Sequence, residues 1–185
     1  MNQTDQINPA DTSKQLKKIV STSLFVSLIT VGAFIFIPIG PVPIVLQNMF
    51  ILLAGVILGP VWGLACVAIY LLIGFAGLPV FSGGTSGIGK LFGPTGGFII
   101  GYLPCVYVTG LIADRFGKKM ATDIIAMIAG SVLLYTAGIP WLMKVTGMGL
   151  SKALAVGCYP FLIPDLIKIV AAAFIAKTIR PVIKL

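Results

Sequence analysis

A carboxylate and an amine lie three residues apart in an apolar stretch near the C-terminus. Asp165 and Lys168 are the only charged residues between positions 157 and 176. An ionisable side chain inside a membrane helix costs about 2.5 to 3.5 kcal/mol on insertion scales, so such residues usually face a cavity and serve a function. At a spacing of i, i+3 they share one helix face. The pair predicts a ligand site in which the carboxylate accepts from N–H groups and the ammonium donates to oxygens; the alternative is an ion pair that only fixes helix packing.

The composition predicts an integral membrane protein. Of the 185 residues, 58% are hydrophobic and 10% are charged, and the mean hydropathy is +1.08. Soluble domains carry about 25% charged residues. A membrane span needs about 20 predominantly apolar residues, so the chain has room for six spans and little else.

Catalysis and metal binding are poorly supported by the residue types present. The chain has no His, and its only acidic residues are five Asp. Metal ligands and proton relays are usually clustered His and carboxylates, so we expect no metal, no cofactor, no catalytic residues and no enzyme activity. The cysteines Cys66, Cys105 and Cys158 are odd in number and lie among apolar residues, which is typical of packing rather than of disulfides.

Six apolar segments predict an all-α membrane domain. Residues 1–15 form a polar and mobile N-terminus in this interpretation, and residues 16–185 form one six-helix domain. The predicted spans cover residues 19–39, 44–58, 61–76, 98–113, 124–139 and 158–176. The second and third are separated only by Gly59-Pro60, and each is short for a full crossing, so a tight turn between two spans is favoured over one kinked helix.

The positive charges predict the orientation of these spans. Nine Lys and Arg residues fall on one side: Lys14, Lys17, Lys18, Arg115, Lys118, Lys119, Lys177, Arg180 and Lys184. Only Lys90, Lys144 and Lys152 fall in the opposite loops. Because cytoplasmic loops are enriched in Lys and Arg, both termini are predicted in the cytoplasm. The net charge of +8 therefore reflects topology and not nucleic-acid binding, since the cations are not clustered with aromatics.

This orientation also places Asp165 along its helix. Asp165 precedes Lys177, at the cytoplasmic edge, by about 18 Å of helix at about 1.5 Å per residue. A hydrocarbon core is about 30 Å thick, so Asp165 is predicted in the outer half of the membrane.

The longest outer loop is rich in glycine. Residues 77–97 contain eight Gly, and the run from Gly84 to Lys90 fits the first part of a phosphate-binding P-loop. We reject that motif because Leu91 follows where Ser or Thr should hold magnesium, and the loop faces outward. A cap over a ligand is favoured over a plain mobile connection, with Gly84, Thr85, Ser86 and Lys90 as candidate contacts. The second outer loop, residues 140–156, is amphipathic and predicted to hold a short helix.

Other polar residues have two interpretations each. Gln47 and Asn48, at the outer start of span two, either contact a ligand or satisfy exposed backbone. Tyr159, with Tyr135 and Trp141, lies near the outer interface, where a membrane-interface aromatic is favoured over a pocket wall. Small residues at four-residue spacing allow close helix approach: Gly97 and Gly101 predict internal packing, and Ser23 and Ser27 predict a docking face for another membrane subunit.

Four segments resemble one known family. Residues 40–47 (GPVPIVLQ), 77–84 (GLPVFSGG), 93–97 (GPTGG) and 164–168 (PDLIK) resemble the BioY family, the biotin-binding S components of energy-coupling factor (ECF) transporters. The segments occur in the expected order from the first span to the C-terminus. Only the polar N-terminus lies outside the resemblance.

The resemblance implies a six-helix S component in a bacterial or archaeal cytoplasmic membrane. Such a subunit captures biotin from outside with high affinity and joins a transmembrane T component and two cytoplasmic ATPases. It docks through small residues of the first helix, often alanines, where this chain has Ser23 and Ser27. Biotin offers two ureido N–H donors, a ureido oxygen, an apolar ring and a carboxylate. Asp165 suits the N–H donors, Lys168 suits an oxygen, and Lys90 is either a partner of the carboxylate or a solvated lysine.

The residue types leave two alternative functions to consider. A stand-alone secondary transporter for a small organic solute would use the Asp165–Lys168 pair for ion coupling. A membrane enzyme is disfavoured by the absence of His and of clustered acids.

Overall fold

The computed structural model describes residues 9–183, which are mostly helical. Within this range the chain forms the following elements: α1 (Pro9–Phe34), β1 (Phe36–Ile37), β2 (Ile44–Val45), α2 (Gln47–Phe75), α3 (Gly89–Phe92), α4 (Gly96–Arg115), α5 (Met120–Thr146), α6 (Leu150–Gly157) and α7 (Tyr159–Ile183). Five helical segments of the described chain are long and apolar enough to cross a membrane: α1, α2, α4, α5, and α6 with α7.

Helix α2 consists of two arms that lie side by side. Gly59 has φ of +78° and is non-helical, and Pro60 follows it. A Cβ on Gly63 would lie 3.4 Å from the Cα of Gly55. In a straight helix, residues eight positions apart are separated by about 12 Å, so the chain must reverse between them. The predicted tight turn between spans two and three is therefore confirmed, and counting both arms gives six membrane segments in residues 9–183.

Helix α1 and the residues after it differ from the prediction at both ends. The helix begins at Pro9, inside the segment assigned to the polar terminus, while residues 1–8 lie outside the described part. It ends at Phe34, earlier than predicted, because Phe36–Ile37 pairs antiparallel with Ile44–Val45. Pro41 and Pro43 lie in the turn between these strands and cannot continue a helix. This two-stranded hairpin was not predicted.

The predicted fifth span was too short. Helix α5 continues through Pro140 to Thr146 and ends at Gly147, whose φ of +70° is typical of a glycine after a helix. A proline removes only one helix hydrogen bond, and packing of the next turn compensates: Leu142 is fully buried, and the Trp141 indole donates to the carbonyl of Gly93. The predicted short helix in the second outer loop is confirmed as α6.

Glycines allow α4 and α5 to approach closely. A Cβ on Gly97 would overlap the Cβ of Trp141, and a Cβ on Gly101 would lie 3.1 Å from the Cβ of Ala137. On the facing helix, a Cβ on Gly138 would overlap the ring of Phe98. The predicted internal packing of Gly97 and Gly101 is confirmed.

This contact yields a first prediction, for Gly97→Val. Overpacking of a close contact costs about 1 to 3 kcal/mol, so the variant should unfold at a lower temperature in detergent than the unmodified protein. Gly149→Ala is the matched control because no atom lies within 4 Å of a Cβ at that position. Equal thermal midpoints for Gly97→Val and the control would contradict the packing assigned to α4 and α5.

Most basic residues of the described part lie at one end of the bundle, as the positive-inside rule predicts. At this end Lys18 lies over the ring of Trp62, with its amine 5.9 Å from the centroid. Lys118 pairs with Asp114 at 3.2 Å.

A buried ion pair that the sequence did not predict closes the same end. Arg180 of α7 donates to Asp123 of α5 at 2.8 Å, and Asp123 is 0% exposed. The same guanidinium donates to the carbonyls of Lys118 at 2.9 Å and Val56 at 3.2 Å. One side chain thus ties α7 to α2, to α5 and to the turn before α5.

Candidate functional site

A cavity of about 620 Å³ lies at the end of the bundle opposite most of the basic residues. Small-molecule sites usually enclose about 300 to 1,000 Å³, so this cavity is large enough for a ligand. The segment after α1 supplies Pro41, Val42 and Pro43, and the Gly-rich loop covers one side. The remaining wall is mainly apolar and comes from α4, α5 and the two helices after it: Phe98, Ile99, Tyr102, Leu134, Tyr135, Gly157 and Phe161.

Six of the predicted ligand contacts line this cavity together. They are Gln47, Asn48, Gly84, Thr85, Ser86 and Lys90. Gln47 is 3% exposed at the start of α2, and the hydroxyl of Tyr102 donates to Oδ1 of Asn48 at 3.0 Å. Both amides lie at the start of α2 because the strand pair ends there.

The Gly-rich loop is folded over the cavity and fastened at both ends. The hydroxyl of Tyr70 donates to the carbonyl of Val80 at 2.9 Å, and Trp141 Nε1 donates to the carbonyl of Gly93 at 3.0 Å. Gly83 and Gly84 have φ of +73° and +70°, a conformation that residues with a side chain rarely adopt. The loop therefore forms a fixed roof over the cavity, and its role as a cap over a ligand stays a prediction.

Asp165 and Lys168 form a buried ion pair behind the cavity wall. Lys168 Nζ lies 2.9 Å from Asp165 Oδ1, and the residues are 8% and 7% exposed. The second carboxylate oxygen accepts a hydrogen bond of 2.6 Å from the hydroxyl of Tyr135. Neither member of the pair lines the cavity, whereas Tyr135 does.

The three outer aromatics occupy different environments. Tyr159 is 60% exposed and does not line the cavity. Trp141 holds the Gly-rich loop from outside the cavity. Tyr135 is a cavity wall, which corrects its favoured assignment as a membrane-interface residue.

Several aromatic residues that line the cavity were not predicted from the sequence. Tyr70, Tyr102, Phe98 and Phe161 occur in long apolar helices with no periodicity that separates the cavity face from the lipid face. Their contribution depends on which helices pack together, and the sequence gives no direct signal for that.

The remaining predicted residues lie elsewhere. Ser23 and Ser27 are exposed on α1, and their hydroxyls donate to the carbonyls of Ile19 and Ser23, both at 3.1 Å. Large apolar side chains are exposed on the same helix, among them Leu16, Val20 and Leu24. Among residues 9–183 no three His, Cys, Asp or Glu side chains come together as metal ligands.

The sequence and the fold are similar to those of known transporters. The BioY family model matches residues 3–185. A protein of Pyrococcus horikoshii named "Probable biotin transporter BioY" is 38% identical over 164 residues, which cover 89% of this chain and 96% of that protein. The "Biotin transporter BioY" of Thermotoga maritima is 38% identical over 165 residues, with the same two coverages.

A solved structure has the same fold. The S-component for biotin from an ECF-type ABC transporter superposes with a TM-score of 0.86 at 29% identity, covering 91% of this chain and 93% of that one. These relatives are named as transporters, in agreement with the expectation that the chain is not an enzyme. The chain is thus a multi-pass membrane protein and belongs to the BioY family.

Proposed function

We propose that this chain is the high-affinity biotin-binding S component of an ATP-driven ECF-type vitamin transporter. The observation that carries the proposal is the roofed outer cavity of about 620 Å³, which gathers six polar or glycine positions chosen from the sequence. Its apolar wall suits the fused ring of biotin, and its amides and hydroxyls suit the ureido group. Relatives that match most of the chain are named biotin transporters, which supports the same ligand.

Lys90 is the proposed partner of the biotin carboxylate. It is the only cation that lines the cavity in the described part of the chain, and it is partly buried. A hydrogen bond between charged groups contributes about 1.5 to 3 kcal/mol.

A second prediction follows for Lys90→Gln. The variant should bind biotin at least about tenfold more weakly in calorimetry, and added salt should weaken the unmodified protein more than the variant. Lys152→Gln, an exposed lysine at the same end of the bundle, should bind like the unmodified protein. Equal biotin affinities for Lys90→Gln and Lys152→Gln would contradict the proposed contact between Lys90 and the biotin carboxylate.

The proposed partners are a transmembrane T component and two cytoplasmic ATPases. Helix α1 is the proposed docking face, because Ser23 and Ser27 leave a shallow surface among exposed apolar side chains. Small residues at this spacing let two helices approach closely in lipid.

Transport by the purified chain alone tests the proposal against its main rival. In liposomes with an ion gradient and no other protein, an S component should bind biotin without accumulating it. Addition of the T component, the ATPases and ATP should start uptake. Gradient-driven accumulation by the chain alone would overturn the proposal in favour of a secondary transporter.

A further inference from the structure

The turn between α4 and α5 carries three cations and an exposed aromatic ring. Arg115, Phe116, Lys118 and Lys119 are all exposed, and Phe116 is 67% exposed. Helix α4 begins beside the cavity, and its 20 residues, at about 1.5 Å each, match a hydrocarbon core about 30 Å thick. Arg115, the last residue of α4, therefore lies near the membrane surface at the basic end of the bundle, and Phe116 follows at the same level.

The backbone of this turn is held by hydrogen bonds. Gly117 has φ of +86°, and the amide of Lys119 donates to the carbonyl of Gly117 at 2.8 Å. The guanidinium of Arg180, on α7, donates to the carbonyl of Lys118 at 2.9 Å. The turn therefore presents its side chains from a defined backbone, which reduces the conformational entropy lost when they bind a partner.

Two of the three cations have no carboxylate partner. The acids nearest to them in sequence are already paired, Asp114 with Lys118 at 3.2 Å and Asp123 with the guanidinium from α7 at 2.8 Å. In the described part of the chain no carboxylate pairs with Arg115 or Lys119. The turn therefore has an excess of positive charge, which suits an anionic partner.

We propose that Arg115, Phe116 and Lys119 form a binding site for an anionic phospholipid in the leaflet at this end of the bundle. A guanidinium can hold a phosphate through two parallel hydrogen bonds, which suits Arg115 to the lipid phosphate, and Lys119 adds a second positive charge. The Phe116 ring contacts the acyl chains below the headgroup, as apolar side chains do in basic interfacial segments. A lipid thus meets both the ring and the cations, whereas an acidic protein surface would meet only the cations.

Thermal unfolding of the purified chain in dodecyl maltoside micelles tests this site. Dioleoyl-phosphatidylglycerol should raise the thermal midpoint at a lower mole fraction than dioleoyl-phosphatidylcholine, because a ligand that binds only the folded protein stabilises it. Each cation near an anionic lipid surface changes the affinity about fivefold. The double variant Arg115→Gln with Lys119→Gln should therefore need about 25-fold more phosphatidylglycerol for half of the rise in thermal midpoint.

Lys144→Gln with Lys152→Gln is the matched control. It removes the same charge from two exposed positions at the other end of the bundle and should respond to phosphatidylglycerol like the unmodified protein. An equal response of the two double variants would overturn the inference. Phe116→Ser keeps both cations and tests the site if the first double variant fails to fold. It should need more phosphatidylglycerol than the unmodified protein, and an unchanged requirement would also overturn the inference.

Two further measurements on the unmodified protein separate a lipid from other anionic partners. Glycerol 3-phosphate carries a phosphate without acyl chains and should leave the thermal midpoint unchanged; a rise equal to that with phosphatidylglycerol would overturn the inference in favour of a free phosphate. At about 1 M salt the Debye length falls to about 3 Å, so the advantage of phosphatidylglycerol over phosphatidylcholine should largely disappear. An unchanged advantage at high salt would overturn the inference. Equal responses to the two lipids at low salt would overturn it in favour of a protein partner for the turn.

Discussion

Lys168→Met is expected to lower the free energy of unfolding by about 3 to 5 kcal/mol, because it leaves a buried carboxylate without its cation. Asp165 is 7% exposed and would keep only the hydrogen bond from Tyr135. The variant should show a lower yield from membranes and a lower thermal midpoint in detergent, followed by intrinsic fluorescence. The folded fraction should also bind biotin more weakly, because the Lys168 ammonium no longer orients Asp165.

Two further variants distinguish loss of pairing from loss of a lysine. Lys152→Met removes an exposed lysine from the same end of the bundle and should leave the thermal midpoint unchanged. Asp165→Asn combined with Lys168→Met removes both charges and should recover most of the stability. If Lys168→Met is as stable as Lys152→Met, the buried ion pair does not exist in the membrane protein.

Arg180→Leu is expected to destabilise the protein by a similar amount, about 3 to 5 kcal/mol, from the opposite end of the bundle. Asp123 is 0% exposed, and Arg180 Nη2 at 2.8 Å is its cation. The substitution also leaves the carbonyls of Lys118 and Val56 without this donor. The thermal midpoint should fall, whereas biotin affinity of the folded fraction should stay unchanged because the cavity lies at the other end.

The control for Arg180→Leu must also remove one positive charge, because such charges influence the orientation of the protein in the membrane. Lys177→Leu removes one cation three residues earlier on α7, at the same end of the bundle, where the side chain is exposed. Lys177→Leu should have the same thermal midpoint as the unmodified protein. The double variant Asp123→Asn with Arg180→Gln removes both charges and should be more stable than Arg180→Leu. An Arg180→Leu protein as stable as Lys177→Leu would show that Arg180 does not neutralise Asp123.

The order of the membrane segments could be predicted because lipid imposes it on the sequence. Apolar runs must be long enough to cross, and Gly59-Pro60 interrupts one run where neither residue favours a continuous helix. The end of α5 could not be predicted, because Pro140 normally ends a helix and the compensation comes from Leu142 and Trp141 packing on other elements. The strand pair after α1 likewise depends on pairing between residues seven and nine positions apart, Ile37 with Ile44 and Phe36 with Val45.

Residues that line the cavity could be predicted where the order of the spans brings them to one end of the bundle, and could not be predicted where helix packing decides. Gln47 and Asn48 at the start of α2 and the Gly-rich loop lie at the same end of the bundle, so the order of the spans alone brings them together. The position of Asp165 behind Tyr135 depends on the packing of α7 on α5. The pair Asp123 and Arg180 is 57 residues apart, and no spacing rule connects them.

Biotin titration of the purified chain, without partner subunits or ATP, tests the central claim most directly. The account predicts saturable binding with one biotin per chain, and no binding of pentanoate, which has the carboxylate tail but lacks the ureido ring. Addition of excess pentanoate should not displace biotin. Absence of biotin binding by folded protein, or equal binding of pentanoate, would contradict the account.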